Sequence, residues 1–279
     1  MIIDFHTHIF APRVKDRRED YVRRDPLFAQ LYSDPKAKLA SAEDLISVMD
    51  EQGITASLIL NIGWSSAELC RESNDYIMES VAHYPKRLFG FGMVDFSSPD
   101  TAIKELERCL KNGIKGVGEV RFSSSQLGDP RSIQPIMDVI IDNNLILLVH
   151  TTEPVGHAYP GKGDSTPDLL YPFINSFPNL KLVCAHWGGG LPFYALMPEV
   201  KKALDRVYFD SAASPYLYSP QIYREIPALI GDQHILFGSD YPLLTPKRLL
   251  KDVDGLKLTE STRDRFLYSN AAELLGIIE

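Results

Sequence analysis

Short apolar runs rich in β-branched residues alternate with amphipathic stretches along the whole chain. Eight of these runs read as strands, at 1–5, 54–60, 88–94, 114–120, 145–149, 180–185, 207–209 and 235–237. Between them apolar residues recur at helical spacing, most clearly over 42–51, 67–83, 100–111, 133–143 and 191–204. This alternation is typical of β-α units that build a parallel sheet, because parallel neighbours need a long crossover connection.

A polar residue closes each predicted strand: His6 with His8, Asn61, Asp95, Glu119, His150, His186, Asp210 and Asp240. From Asn61 onward, the spacing of these ends ranges from 24 positions, between 95 and 119, to 36, between 150 and 186, which is close to one β-α unit. In (β/α)8 barrels the carboxyl ends of the strands build the active site. The pattern therefore predicts a single-domain α/β protein, a TIM-like (β/α)8 barrel over residues 1–279.

A doubly wound open sheet is the competing fold. It normally carries a GxGxxG turn after an early strand, and no such turn occurs here. Gly188-Gly-Gly190 lacks that spacing, and we expect it to allow a close backbone approach or a tight turn. The barrel is the better interpretation.

One connection is too long for a simple β-α unit. The 53 positions from 8 to 61 are about twenty more than one β-α unit needs. Residues of about 12–38 therefore form an insertion after the first strand. We expect a lid or a subunit contact at the barrel mouth, and a tolerated surface excursion is the alternative.

Composition narrows the class of protein. The net charge of −8 and the lack of a basic stripe argue against a nucleic-acid partner. Three cysteines without a CxxC pair support neither a disulfide framework nor a thiolate zinc site. We find no signal-peptide pattern and no apolar run of the roughly 20 residues that a membrane helix needs, so we expect a cytoplasmic protein with no membrane partner.

Histidines dominate the candidate chemistry. His6 and His8 are two positions apart on a strand, so both imidazoles can reach one metal ion. Four of the seven histidines, these two with His150 and His186, lie at strand ends. Together with the carboxylate of Asp240 they offer nitrogen and oxygen donors, which suit zinc or another divalent transition metal.

Several motifs carry a resemblance to a known family. They are His6-Thr-His8, Leu-Leu-Val-His150, Val-Cys-Ala-His186-Trp-Gly-Gly, Phe-Gly-Ser-Asp240-Tyr-Pro and the ending Asn270-Ala-Ala-Glu-Leu-Leu. The chain resembles the metal-dependent amidohydrolase superfamily, in particular the amidohydrolase-2 branch of aminocarboxymuconate-semialdehyde decarboxylase and related aromatic-acid decarboxylases. The resemblance implies one metal bound by four residues, His6, His8, His150 and Asp240, with a water. It also implies that His186 acts as a catalytic base, and Asp240 could shuttle a proton as well as bind the metal.

Glu119 departs from the pattern of the single-metal decarboxylases. It closes the fourth strand, where two-metal members of the superfamily carry a bridging residue. If Glu119 bridges, His150 and His186 hold a second ion. The alternative is an ion pair with Arg121, so the sequence leaves one or two ions open.

Three further residues are candidates for binding substrate. Arg121 lies two positions beyond Glu119, and its planar guanidinium suits a carboxylate, although a structural ion pair is an equal alternative. His157 and Lys162 lie in a Pro- and Gly-rich loop after the fifth strand. At the other end of the chain, Asn270 and Glu273 predict a capped final helix on the outside of the barrel.

These features define an enzyme that acts on a small molecule. The favoured activity is hydrolysis of a small ester, amide or lactone-like bond by a metal-activated water. The alternative is non-oxidative decarboxylation of an unsaturated or aromatic carboxylic acid. A metal-dependent phosphoesterase and a non-catalytic metal-binding barrel are weaker alternatives. The family resemblance makes a homodimer plausible.

Overall fold

Eight parallel strands pair in sequence order in the computed structural model, which describes residues 1–277. The strands are β1 Ile3–His8, β2 Ala56–Leu60, β3 Leu88–Gly92, β4 Gly116–Val120, β5 Ile146–Val149, β6 Lys181–Cys184, β7 Val207–Asp210 and β8 Ile235–Leu236. The last strand returns to the first, since the Phe5 amide donates to Phe237 O at 2.7 Å and the Asp240 amide donates to His6 O at 2.9 Å. The predicted (β/α)8 barrel is confirmed. Ile278 and Glu279, which the predicted domain includes, lie outside the described residues.

Helices connect the strands and surround the barrel. The α-helices are Pro12–Asp16, Arg18–Arg24, Pro26–Tyr32, Ala42–Gln52, Ala67–His83, Pro99–Lys111, Ser124–Gly128, Gln134–Asp142, Pro167–Ser176, Pro198–Leu204, Ser214–Leu217, Ile222–Ile230, Pro246–Asp254, Glu260–Asp264 and Asn270–Leu275. Short 3-10 turns occupy Pro130–Ile133, Leu191–Leu196 and Asp232–His234, and a π-helical turn spans Arg265–Ser269. In the short segment Ala185–Gly188 the backbone is left-handed from His186 onward.

Local sequence explains where the clearest helices begin and end. Ser41 caps Ala42–Gln52 in a reciprocal capping box with Asp44, and Gly53 ends that helix with a left-handed φ of 69°. The helix predicted over 191–204 is broken, however. Pro198 forces Met197 into an extended conformation (φ −85°, ψ 118°), which separates a 3-10 turn from the following helix.

The insertion over 12–38 packs firmly on the barrel through three short helices. Phe28 stacks on Trp64 with ring centroids 5.4 Å apart, and Tyr21 and Phe10 contact the same cluster. The buried carboxylate of Asp25 caps the third helix at Phe28 N (2.7 Å) and also accepts from the loop after β2, at Ser65 N (2.8 Å). These contacts fix the insertion beside the carboxyl ends of β1 and β2. Its predicted role as a lid stays a prediction.

Two apolar clusters hold the fold together. The larger one lies between strands and outer helices, and the smaller one fills the barrel interior with residues such as Ile3, Phe91 and Leu236. The final helix belongs to the inner cluster through Ala271 and Leu274 and so closes the amino-terminal end of the barrel. The predicted outside position is therefore wrong.

The predicted cap at Asn270 is also wrong. Asn270 lies inside a continuous helical run, and its side chain donates to Asp232 O (2.7 Å), just before the last strand, and to Ile235 O (2.8 Å), the first residue of that strand. These bonds tie the final helix to β8. Within residues 1–277, no helix combines the length and the hydropathy needed to cross a membrane.

Candidate active site

The first strand places both of its histidines in one cluster by changing its pairing partway along. Ile3 and Phe5 belong to the barrel interior, so a regular strand would turn His6 and His8 outward. The register against β2 shifts between Asp4 and Thr7, which is a β-bulge or an equivalent irregularity. Both imidazoles are buried as a result, and their Nε2 atoms lie 3.1 Å apart.

Asp210, at the end of β7, fixes the orientation of His6. Its Oδ2 lies 2.8 Å from His6 Nδ1, and its Oδ1 accepts from the backbone amides of His186 and Ala212, both at 3.0 Å. A carboxylate facing Nδ1 holds a proton on that nitrogen, so Nε2, which points at His8 and the site centre, is the nitrogen that can bind a metal once it is deprotonated. The sequence placed Asp210 among the polar residues at the strand ends.

Asp240 completes the first group of possible metal ligands. It follows β8 with a left-handed φ of 66°, and its Oδ1 lies 3.3 Å from His8 Nε2 and 3.7 Å from His6 Nε2. Ligand atoms of these three residues all lie within 4.8 Å of one another. The three predicted ligands from β1 and β8 therefore meet at one point.

Glu119 and His186 form a second group with His6. Glu119 Oε1 lies 3.2 Å from His186 Nε2 and 3.9 Å from His6 Nε2, and the three ligand atoms again fall within 4.8 Å. Glu119 Oε2 lies 3.8 Å from His8 Nε2. Since His6 belongs to both groups, the arrangement allows either one ion or two.

His150 lies beside the second group of ligand atoms. Its Nδ1 lies 2.8 Å from Glu119 Oε1 and 3.2 Å from His186 Nε2, while its Nε2 lies 3.3 Å from the carbonyl of Lys162. The predicted ligand His150 therefore contacts Glu119 directly and lies in neither of the two ligand groups.

A left-handed turn directly after β6 places His186 in the cluster. The backbone from His186 to Gly190 has positive φ at every residue, from 54° to 90°, which explains the run of three glycines. A Cβ on Gly189 would lie 2.2 Å from Thr152 O, so this glycine also allows close contact with the loop after β5. The predicted close approach at Gly188-Gly-Gly190 is confirmed. The His186 ring is held by its Nδ1, which lies 3.1 Å from Ala212 O.

The imidazoles of the cluster differ in their proton affinity. Burial alone would lower the pKa of His6, but the facing carboxylate of Asp210 raises it to about 10. Burial and the guanidinium of Arg121 lower the pKa of His150 to about 4, against the opposing effect of Glu119. Burial likewise opposes protonation of His186, and the Glu119 carboxylate outweighs it and raises the pKa.

Both carboxylates stay ionised. Burial alone would raise the pKa of Glu119, but His150 and Arg121 hold it well below its usual range. The pKa of Asp240 is also lowered, because the hydrogen bond from His8 and the charge of His6 outweigh burial. The centre of the site therefore carries two negative charges, the buried Glu119 and the partly buried Asp240, that attract a cation.

A cavity of about 440 Å³ opens over this cluster. Its walls come from the insertion and from the loops after β2, β4, β5, β7 and β8, and they include Leu31, Tyr32, Lys38, Ile62, Arg121, His157, Tyr159, Leu217 and Leu243. Arg121 Nη1 donates to Gly161 O, its Nη2 lies 3.9 Å from Glu119 Oε2, and its Nε is buried without a hydrogen-bond partner within residues 1–277. The predicted substrate residues Arg121 and His157 thus both line the cavity.

Lys162 has a different position from the predicted one. Its ammonium donates to the carbonyls of Val155 (3.2 Å) and His157 (3.1 Å), and the residue does not line the cavity. Lys162 therefore holds its own loop in shape, because the loop folds back on itself at Gly161 and Gly163, which have positive φ. Direct contact with substrate, as predicted, does not fit this position.

Sequence reasoning expected the insertion at the barrel mouth but missed the individual residues that it contributes to the cavity. Tyr32 and Lys38 line it, although only the unusual length of the first connection indicated that this segment reaches the mouth. The Tyr32 ring packs edge-on against Phe10, with centroids 5.1 Å apart. Burial, followed by the charge of Asp240, raises the pKa of its hydroxyl, which therefore stays protonated at neutral pH.

The family of the chain follows from a direct comparison. The family described as "Amidohydrolase" matches residues 3–277, which is nearly the whole chain. The chain belongs to the amidohydrolase family and is an enzyme. This confirms the resemblance that the strand-end motifs indicate.

Curated relatives and solved structures extend the comparison. The chain is 24% identical to 2-amino-3-carboxymuconate-6-semialdehyde decarboxylase of Dictyostelium discoideum, over 75% of this chain and 67% of that protein. It is 26% identical to gamma-resorcylate decarboxylase of a Polaromonas species, over 87% and 90%. The structure of 5-carboxyvanillate decarboxylase from Sphingomonas paucimobilis matches with a TM-score of 0.82 at 18% identity and covers 99% of each chain.

A second structure includes a metal. The dihydroxybenzoic acid decarboxylase of Polaromonas, with bound manganese and the inhibitor 2-nitroresorcinol, matches with a TM-score of 0.75 at 20% identity, over 99% of this chain and 97% of that one. The TM-scores of the two structures show a shared barrel fold, and at sequence identities this low they show no more than the fold.

Proposed function

We propose that this chain is a metal-dependent, non-oxidative decarboxylase of an unsaturated or aromatic carboxylic acid. One observation carries the proposal: a buried cluster of imidazoles and carboxylates lies beside the guanidinium of Arg121 at the floor of a largely apolar cavity. A cavity of about 440 Å³ falls in the usual range for small-molecule sites. The decarboxylases among the relatives and the matching structures support the same reaction.

This proposal replaces the activity that the sequence favoured. Hydrolysis of an ester, amide or lactone-like bond rested on Glu119 as a bridging ligand. All the relatives and structures compared above are decarboxylases by name, so the comparisons favour the alternative over hydrolysis. A phosphoesterase gains no support from them.

The residues present fit a divalent metal ion. Because Asp210 holds the Nδ1 proton of His6, Nε2 is the atom that can bind a metal after losing its own proton, and it lies only 3.1 Å from His8 Nε2, next to two ionised carboxylates. A cation between these atoms would satisfy all of them at once, and nitrogen with oxygen donors suits zinc or manganese. We propose His6, His8 and Asp240 as ligands of one ion, with His150 predicted as a fourth.

The number and identity of the ions are finer questions. Glu119 with His6 and His186 offers a second ligand group, so a bridging Glu119 with His150 and His186 on a second ion stays a prediction. Zinc is the metal that the sequence favours, whereas the Polaromonas structure contains manganese. Metal analysis of the purified protein decides both.

The residues of the site divide the chemistry between them. A bound divalent ion supplies a Lewis acid that polarises an oxygen of the substrate. Arg121, whose side chain lines the cavity, orients the acid, and the apolar walls keep water from the ring. As the bond to the carboxylate carbon breaks, CO2 leaves, and the ring carbon receives a proton from His186, whose protonated form the charge of Asp240 favours. The raised pKa of His186 suits it to carry that proton.

The test is a substrate panel on metal-reconstituted protein. Hydroxybenzoates and muconate-like acids are compared with esters, lactones and phosphodiesters, and CO2 is monitored separately from ester cleavage. We expect CO2 from at least one acid, with the loss of activity on chelation. Cleavage of an ester or a lactone without CO2 from any acid would overturn the proposal in favour of hydrolysis.

Other predicted properties accompany the function. A small-molecule substrate without nucleic-acid or membrane partners, a homodimer, a cytoplasmic location and a lid role for residues 12–38 stay predictions. Size-exclusion chromatography with light scattering tests the dimer.

A further inference from the structure

We propose that Asn61 is a positioning residue for Glu119, and that Asn74 holds Asn61 in place for this task. Asn61 directly follows β2 and has no part in the proposed metal site or in proton transfer. Its effect on turnover rests on the proposed decarboxylase function, whereas its contact with Glu119 does not.

Glu119 lies at an irregular point of the barrel wall. Against β5, the register of β4 shifts between Val117 and Val120, so β4 has one residue more than β5 there. On the other side, within residues 1–277, β3 pairs with β4 only as far as Val117. Glu119 therefore lacks a regular partner on either neighbouring strand.

The backbone of Asn61 occupies the place that β3 leaves. Its carbonyl accepts from the Glu119 amide at 2.9 Å, and its own amide donates to Gly118 O at 3.2 Å. β2 and β4 are not neighbours in the sheet, so these two bonds lie outside the ordinary pairing of the barrel. They hold the main chain from which the Glu119 carboxylate reaches the imidazole cluster.

The side chain of Asn61 is buried and fully hydrogen-bonded. Its Nδ2 donates to Asn74 Oδ1 (3.1 Å) and to Phe91 O (3.4 Å), and its Oδ1 accepts from Ser73 Oγ. Ser73 and Asn74 belong to the helix Ala67–His83, so the end of β2 is tied to that helix. A side chain that cannot form these bonds would leave buried groups without partners and would release the backbone that Glu119 contacts.

Asn74 explains why β3 leaves this place open. Its Nδ2 donates to Met93 O and its Oδ1 accepts from Met93 N, both at 2.8 Å. Met93 directly follows β3, so its backbone amide and carbonyl are bound to the helix and not to β4. The same Oδ1 accepts from Asn61. Asn74 thus ends the pairing of β3 with β4 and places Asn61 beside Glu119.

Hydrogen exchange tests this placement without turnover. Manganese-loaded parent protein and Asn61→Ala are compared by mass spectrometry with fragmentation that resolves single amides. We expect the Glu119 amide to exchange about tenfold faster in Asn61→Ala, because the loss of the side-chain bonds frees its acceptor. Ser73→Ala removes only the donor to Asn61 Oδ1, so it should show a smaller acceleration at the same amide and serves if Asn61→Ala does not fold.

Asn270→Ala is the matched control. Asn61 and Asn270 are both 1% exposed, and the side chain of Asn270 donates to two backbone carbonyls near the start of β8. Its loss should also destabilise the fold, but the Glu119 amide should exchange as slowly as in the parent protein. Equal acceleration at Glu119 in both variants, or none in Asn61→Ala, overturns the proposal.

A double-mutant cycle shows whether Asn61 acts through Glu119. Asn61→Ala should lower the affinity for manganese about tenfold, as is typical for residues that support a metal site from outside, and competition against a chromophoric chelator measures the change. In a Glu119→Gln background the same substitution should have less than about a twofold effect. Asn270→Ala should leave the affinity unchanged in both backgrounds. An effect of Asn61→Ala that is equal in the two backgrounds, or absent from the parent, overturns the proposal.

Turnover separates the positioning role from the function on which its effect rests. The same proteins are assayed for CO2 release from the acids of the substrate panel, and kcat should fall about tenfold in Asn61→Ala. If hydrogen exchange and manganese affinity respond as expected but no acid releases CO2, the decarboxylase function fails while the positioning role stands. If the parent protein releases CO2 and Asn61→Ala does so with the same kcat, the function stands and the positioning role fails.

Discussion

Asp210→Asn should weaken metal binding without removing a ligand. The Oδ1 atom of Asp210 accepts from two backbone amides, those of His186 and Ala212, each at 3.0 Å. In the variant the amide oxygen keeps these two bonds, so the new NH2 group must face His6 Nδ1 at the position where Oδ2 now lies 2.8 Å away. A donor there forces the proton of His6 onto Nε2, the atom we propose as the ligand.

The expected drop in metal affinity follows from the loss of the carboxylate that orients His6. Removing the carboxylate behind a ligand histidine typically lowers metal affinity 10- to 100-fold, which corresponds to about 1.4 to 2.7 kcal/mol. Competition against a chromophoric chelator measures the change. The fold should survive, because both backbone amides keep their acceptor.

A second buried aspartate provides the control. In Asp25→Asn, one carboxylate oxygen that accepts from Phe28 N or from Ser65 N becomes a donor, so stability should fall. Metal affinity should not change, since this residue lies in the insertion. If Asp210→Asn binds metal as tightly as the parent protein, the proposed orientation of His6 is refuted.

Three further predictions concern the same centre. Gly189→Ala should destabilise the fold by about 2–3 kcal/mol in urea unfolding, because its φ is +59° and a Cβ would lie 2.2 Å from Thr152 O. The control is Gly53→Ala, at φ +69° with open space around it, which should lower the free energy of unfolding by only about 1–2 kcal/mol. Equal losses in the two variants would contradict the close contact between Gly189 and Thr152. Metal binding at pH 8 should release about one proton, because the pKa of His6 is raised to about 10 and its imidazole must lose a proton to bind the metal. Calorimetry in buffers of different ionisation enthalpy counts the released protons. Zero release would argue against His6 as a ligand. His186→Asn should lower kcat about 10²- to 10⁴-fold with the first metal retained, and undiminished turnover would exclude His186 from proton transfer.

The sequence predicts the barrel and the strand ends well because both depend on local pattern. Strands buried on both sides appear as apolar runs, and each must end in a polar residue where the cavity begins. This rule brings His6, Glu119 and His186 into one buried cluster. It needs no knowledge of long-range contacts.

Other features depend on contacts between distant segments. The two-residue spacing of His6 and His8 does not reveal that the pairing of β1 with β2 shifts after Asp4. Only that shift turns the two histidines inward. The acceptor role of Asp210 requires knowing that β7 lies beside β8 and close to His6. Lys162 looked like a substrate contact because its loop follows β5, but carbonyls of the same loop bind its ammonium. Composition cannot distinguish those two roles.

The most direct test of the function is the fate of the carboxyl carbon and of the proton that replaces it. Metal-loaded protein is incubated in D2O with carboxyl-¹³C-labelled hydroxybenzoates and hydroxyisophthalates, and the products are followed by NMR. Decarboxylation predicts labelled CO2 in equal amount to a product that carries one deuterium at the carbon that lost it. If no acid in the panel yields labelled CO2 while an ester or a lactone is hydrolysed, the site is a hydrolase and the decarboxylase assignment is wrong.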